Sequence, residues 1–150
     1  MSFWLLQANP KHFAADVSTW RGSDLTRWCV LRYRAELTPG DGFAFWVSGH
    51  AGGVHALGTV LTPALLVSAA ELDPQTESAT QQRRRHVVGL RVDTALFDRP
   101  VPRRVLATDP RFATASVLRQ PFAANPFPLT PLEWQSVRDH AHGAPVAGPT

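Results

Sequence analysis

The chain has one cysteine, one lysine, one tyrosine and one methionine in 150 residues, and no long hydrophobic run. A single thiol, Cys29, excludes a disulfide within the chain and a zinc knuckle built from its own cysteines, and it fits a reducing, cytoplasmic setting. No apolar stretch approaches the roughly 18 residues that span a bilayer. The opening "MSFWLLQANPKHF" has no basic leader ahead of an apolar core, so a soluble, cytoplasmic protein without a membrane partner is expected. Lys11 is the only lysine among fifteen basic residues, a bias that genome base composition produces as readily as phosphate binding does.

Charge is uneven along the chain. Five basic and six acidic residues occur up to Gln75, and ten basic and six acidic follow it, for −1 and then +4. A basic half attracts polyanions. The run "RRRH" places Arg83, Arg84 and Arg85 where they either contact backbone phosphates or solubilise a polar loop.

At 44% hydrophobic the chain can bury one sizeable core, so residues 1–143 are expected to form one domain and 144–150 a frayed tail. "FWLLQ" reads as a buried strand from Phe3 to Gln7. "PKHFAAD" reads as a short helix, and "RWCVLRYRAEL" as strand through Val30 and then helix. The turn "LTPGDG" precedes a strand from Phe43 to Val47, whose hairpin partner runs from Val54 to Leu61 with a bulge or close approach at Gly58. The stretch from Ala70 to Arg85 has no apolar period and reads as a surface loop. "HVVGLRVDTALF" resumes as a long strand, and "PVPRRVLATDPRF" holds a short helix between prolines. Thr130, Pro131 and Glu133 form a capping-box start for a last helix, with Leu132, Trp134 and Val137 available to the core. Strands without regular helical alternation predict an α+β, β-centred domain of barrel type.

Signatures of catalysis are missing. Ser48 and Cys29 have no nucleophile motif around them, and "SGHAGG" lacks the lysine and hydroxyl of a phosphate loop. His50 and His55 flank the glycine turn and His140 and His142 lie close together, but no acidic third ligand stands at diagnostic spacing, so no metal and no cofactor is expected. His55 either approaches a phosphate or sits satisfied in the core. Five tryptophans are many for this length, and an indole can fill a core or wall a base-stacking pocket. Trp134 is expected to anchor the last helix. Trp28 and Trp46 are bordered by polar residues, which suits the rim of a shared pocket.

Taken in order, "FWLLQANP", "WCVLRYR", "LTPGDGFAFWVSG", "GGVHALGTV" and "VLRQPFAANPFPLTPLEW" resemble the EVE domain, a PUA-like family related to YTH domains, from about Phe3 to Trp134. The resemblance implies a PUA-like pseudo-barrel of curved mixed sheet with short helices around it. It also implies a non-catalytic reader of modified bases, such as methylated ones, in DNA or RNA, with the base flipped into an aromatic pocket. In bacteria such domains often accompany modification-dependent restriction, which makes restriction or modification proteins candidate partners. Carried over by motif, the base-binding residues are Gln7, Asn9, Trp28, Trp46, Ser48 and Gly49, joined by Arg32, Tyr33, Arg119, Gln120 and Asn125. Many relatives have lysine where Gln7 stands and asparagine where Tyr33 stands. Two other classes fit the residues alone: a small-molecule nucleobase- or nucleoside-binding protein or enzyme, and a protein-interaction scaffold.

Overall fold

Two parallel strands at the centre of the molecule are apolar on both faces because each is covered on both. In the structure, a computed structural model that describes residues 1–9, 20–49, 52–67 and 85–143, these are β1 (Phe3–Ala8) and β3 (Gly42–Val47), paired from Phe3↔Gly42 to Ala8↔Val47. Trp4, Leu6, Ala8, Phe43, Phe45 and Val47 enter one core cluster, and Leu5, Ala44 and Trp46 enter a second. The period of two in a strand sorts consecutive residues to opposite faces.

The remaining strands are β2 (Arg27–Cys29), β4 (Gly53–Val60), β5 (Leu65–Val67), β6 (Arg85–Ala95), β7 (Val101–Pro102) and β8 (Phe127–Leu129). Among the described residues they complete one sheet in the order β2-β6-β4-β3-β1-β8, with β5 added on β6 and β7 on β4. The second half of β6 pairs with β4, and its first half turns away to pair with β2 and β5. One strand thus serves two parts of the sheet, which curls into a half-barrel. Bulges between Phe45 and Trp46 and between Leu57 and Gly58 add bend. Gly58 answers the expectation of a close approach: a Cβ there would collide with the Arg91 carbonyl and the Phe43 ring.

Among the described residues three short α-helices lie around the sheet: α1 (Arg103–Thr108), α2 (Ser116–Arg119) and α3 (Pro131–Ala141). The capping box of α3 forms as its sequence requires, with Glu133 N donating to Thr130 Oγ1 at 3.1 Å and Thr130 N donating to Glu133 Oε1 at 2.9 Å. Val137 is fully buried, and Trp134 stacks on Phe3 with centroids 4.7 Å apart. Leu132 departs from expectation and faces solvent. It lies two residues from Trp134, about 200° around the helix, so both cannot face the sheet.

The expected helix after Val30 is not formed. Tyr33 takes a left-handed φ of 55°, and only a tight turn follows, with Glu36 N and Leu37 N both donating to the Tyr33 carbonyl. The "LTPGDG" turn is organised by buried Asp41, whose carboxylate accepts from Ser2 N, Thr38 N and, at 2.9 Å, Trp4 Nε1. No helix among the described residues is long and apolar enough to cross a membrane. The expected helix over "PKHFAAD", nearly all of the Ala70 to Arg85 loop and the tail from Ala144 lie outside the described residues.

Candidate functional site

Parallel β1 and β3 end together, and β8 runs antiparallel to β1, so the segment entering β8 arrives at the same end of the sheet. That topology collects most of the expected residues. Ser48 donates from N to the Ala8 carbonyl at 2.9 Å and from Oγ to the same oxygen at 3.2 Å, which fixes it beside Asn9. Gly49 follows with φ of 108°, a conformation that favours glycine, and lies exposed.

Asn125 is clamped to Gln7 by two bonds. Its Oδ1 accepts from Gln7 N at 2.6 Å and its Nδ2 donates to the Gln7 carbonyl at 2.8 Å. The Gln7 side chain reaches on to the Pro121 carbonyl, with Nε2 donating at 2.8 Å. Gln7 Oε1 is buried with no hydrogen-bond partner among the described residues. A lysine at this position carries no such acceptor.

The chain after β2 closes the site from the side. Leu31 N and Arg32 N both donate to the Asn125 carbonyl, and Arg32 Nε donates to the Ala124 carbonyl at 2.9 Å. The Arg32 guanidinium lies over the Tyr33 and Phe127 rings, 5.3 and 5.7 Å from their centroids. Its hydrogen bonds serve the 124–126 segment. Arg32 therefore braces the loop that leads into β8. Tyr33 leans on Trp4 at 5.4 Å and keeps an exposed edge. Its left-handed φ is a conformation that asparagine adopts at lower cost. Arg119 and Gln120, at the end of α2, are exposed, as is Asn9.

The two tryptophans do not converge. Trp28 packs edge-on against Phe45 at 5.1 Å within the first core cluster, beside Trp20 and Phe97. Trp46, the residue after Phe45, points to the other face and stacks on Phe112 at 6.0 Å, with 3% of its surface exposed. The expectation that Trp46 lines a shared rim is corrected: its polar neighbours in sequence belong to the turn beyond, while strand alternation commits its own ring to the core. Arg85 begins β6 opposite Val67 and is half-buried; Arg83, Arg84 and His50 lie outside the described residues.

His55 is a core histidine. Its Nδ1 lies 3.2 Å from the Gly53 carbonyl and its ring is tilted on Phe97. Burial pushes its pKa below the usual imidazole value, against the opposing pull of the Gly53 bond. His140 likewise has a structural partner. It contacts Asp109 Oδ2 at 3.0 Å, an oxygen that also accepts from Ser136 Oγ at 2.7 Å and Arg111 Nη2 at 2.9 Å. The Arg111 hydrogen bonds hold the Asp109 carboxyl well below the usual carboxylate range, and Arg111 also pairs with Asp139 at 2.7 Å. This cluster joins α3 to the loop after α1. Serine and histidine both address the carboxylate and not each other, so it is no nucleophilic triad. Among the described residues no group of three metal-ligating side chains occurs.

A groove of about 550 Å³ opens on another part of the molecule, lined by Thr59, Asp93, Trp134 and Arg138, and contains none of the expected site residues. One residue at the sheet end was not anticipated. Phe122, within the "RQPFAAN" block, is 99% exposed. A phenylalanine is core by default, and the signal that this one is not is its place between Pro121 and the small residues Ala123 and Ala124 in a turn.

The fold recurs in solved structures. The crystal structure of Atu2648 from Agrobacterium tumefaciens matches with a TM-score of 0.66 at 18% identity, over 100% of both chains. The NMR structure of Rpa0253 from Rhodopseudomonas palustris matches with a TM-score of 0.64 at 18% identity, over 95% of this chain and 94% of that one. Human THYN1, in complex with 5-methylcytosine-containing DNA, matches with a TM-score of 0.61 at 16% identity, over 97% of this chain and 100% of that one. No curated protein sequence matches. The family model for the EVE domain matches residues 2–140, nearly the whole chain, and with the curled mixed sheet and short helices described above this protein belongs to the EVE domain family.

Proposed function

We propose that this protein is a non-catalytic reader that binds nucleic acid carrying a modified base, methylated cytosine in DNA first among the candidates, with the base flipped out of its stack into the end of the sheet. The observation that carries the reading is the shared fold with THYN1, a protein seen in complex with 5-methylcytosine-containing DNA. A flipped base loses its stacking partners and regains about 1 to 3 kcal/mol from each aromatic face it meets. In this reading Trp28, held edge-on by Phe45 and only 5% exposed, serves as a stacking wall once the residues covering it make way, and Trp46, committed to the other core cluster, has no part in it.

Selectivity comes from the polar rim. Gln7 Oε1 offers an acceptor to a base-edge donor such as an exocyclic amine, and Asn9 and Ser48 add donors and acceptors nearby. Exposed Arg119 contacts the phosphate backbone. None of the candidate base-binding residues is a carboxylate or a histidine, which favours binding over acid–base chemistry on a free nucleobase. Restriction or modification proteins are the partners this role implies.

The test is a titration of isotope-labelled protein with a duplex carrying one 5-methylcytosine, followed amide by amide. Shifts concentrated at residues 7–9, 31–33, 47–49 and 119–125 are expected. Shifts confined to α3 and the Asp93 groove would overturn the placement.

A further inference from the structure

Phe122 is the most exposed large apolar residue among the described residues, at 99%, ahead of the chain-terminal Met1 at 90%. Such a ring in water is ordinary on a loose loop, where it costs the fold nothing to let it wander. This turn is not loose. Ala123 N donates to the Gln120 carbonyl at 3.0 Å, closing the turn around Pro121 and Phe122, and Gln120 N donates to the Ser116 carbonyl at 2.7 Å, tying it to α2. Gln7 holds the carbonyl of the preceding residue, Pro121, and Arg32 holds the carbonyl of Ala124. Pro121 also fixes its own φ. Side chains from β1 and from the segment after β2 therefore immobilise the backbone on both sides of one fully exposed phenyl ring.

The ring stands at the sheet end, on the block that supplies Arg119, Gln120 and Asn125. Taking a base out of a duplex leaves a gap in the stack, and proteins that distort DNA fill such gaps with apolar wedges held on a rigid support. We propose that Phe122 is such a wedge: it enters the duplex at the step vacated when the modified base moves into the sheet-end site. The proposal rests on the base-reading function above. It adds a distinct requirement, because a single strand has no gap to fill.

Equilibrium binding by fluorescence anisotropy separates the two ideas. The probes are a duplex with one 5-methylcytosine next to 2-aminopurine, the modified strand alone, and the unmodified match of each, all titrated with wild type, Phe122→Ala and Phe122→Leu. Because the ring touches solvent almost entirely, all three proteins are expected to melt alike. Phe122→Ala is expected to weaken duplex binding roughly tenfold while changing single-strand binding less than about twofold, with Phe122→Leu retaining most of the duplex affinity. The rise in 2-aminopurine fluorescence on duplex binding should shrink in Phe122→Ala. Wild-type binding with an indistinguishable Phe122→Ala overturns the wedge and leaves the reader intact. An equal loss on duplex and single strand also overturns it, and assigns the ring to general stacking. A wild type that prefers neither modified probe over its unmodified match overturns the underlying reading.

Discussion

Asn125 holds the backbone of Gln7 from both sides, accepting from its N–H at 2.6 Å and donating to its carbonyl at 2.8 Å, across 118 residues of sequence. Strand edges ordinarily leave these groups to water or to another chain. Here one amide side chain extends the pairing of β1 beyond β8 and seats the 120–126 loop against the sheet end.

Asn125→Ala removes both bonds and leaves two part-buried backbone groups without them. A loss of about 1 to 3 kcal/mol is expected in denaturant unfolding. Faster hydrogen exchange at the Gln7 amide, with little change in β4 or β6, would show that the loss is local.

Tyr33 is the one residue other than glycine with a positive φ among the described residues, at 55°. Asparagine adopts this conformation readily and a β-branched residue does not. Tyr33→Asn should therefore exceed Tyr33→Val in stability by about 1 kcal/mol or more. Equal midpoints for the two variants would mean that the left-handed backbone does not govern this position.

Asp109 is buried and accepts from Arg111, Ser136 and His140, so Asp109→Asn should cost about 3 kcal/mol by leaving Arg111 with Asp139 as its one anionic partner in the cluster. Its pKa also sets a pH dependence. The folded value is depressed by Arg111, so the unfolded chain takes up the proton first as pH falls. The stabilisation is complete above the unfolded carboxyl value of about 3.9 and is lost as pH drops through that value toward the folded one. Unfolding midpoints measured downward from pH 6 should fall steeply below about pH 4 in the wild type and less steeply in Asp109→Asn.

The strands were legible because burial is written into them: "FWLLQ" and "FAFWV" are apolar on both faces, and "TPLEW" writes out its own helix cap. The site was legible only in part. Gln7, Ser48, Gly49 and Asn125 meet because two parallel strands end together, a fact of topology that no local pattern encodes. Trp46 misled because its polar neighbours follow it in sequence while its side chain obeys the strand. Arg32 bonds to backbone carbonyls 92 and 94 residues away, a pairing that no local pattern encodes. Phe122 was signalled only by its place between Pro121 and two alanines, because hydrophobicity alone does not distinguish a buried ring from one that a braced turn carries outward.

The most direct measurement is the ratio of dissociation constants for duplexes of one sequence that differ by a single modification, 5-methylcytosine, 5-hydroxymethylcytosine or N6-methyladenine against none, at two salt concentrations. A reader of this kind should prefer one modification by at least about fourfold, equivalent to the ~0.8 kcal/mol of one buried methyl-sized group, with a ratio that persists as salt lowers every affinity. Equal affinities for modified and unmodified duplex, vanishing together as salt rises, would contradict this role and leave only the attraction of arginines for phosphate.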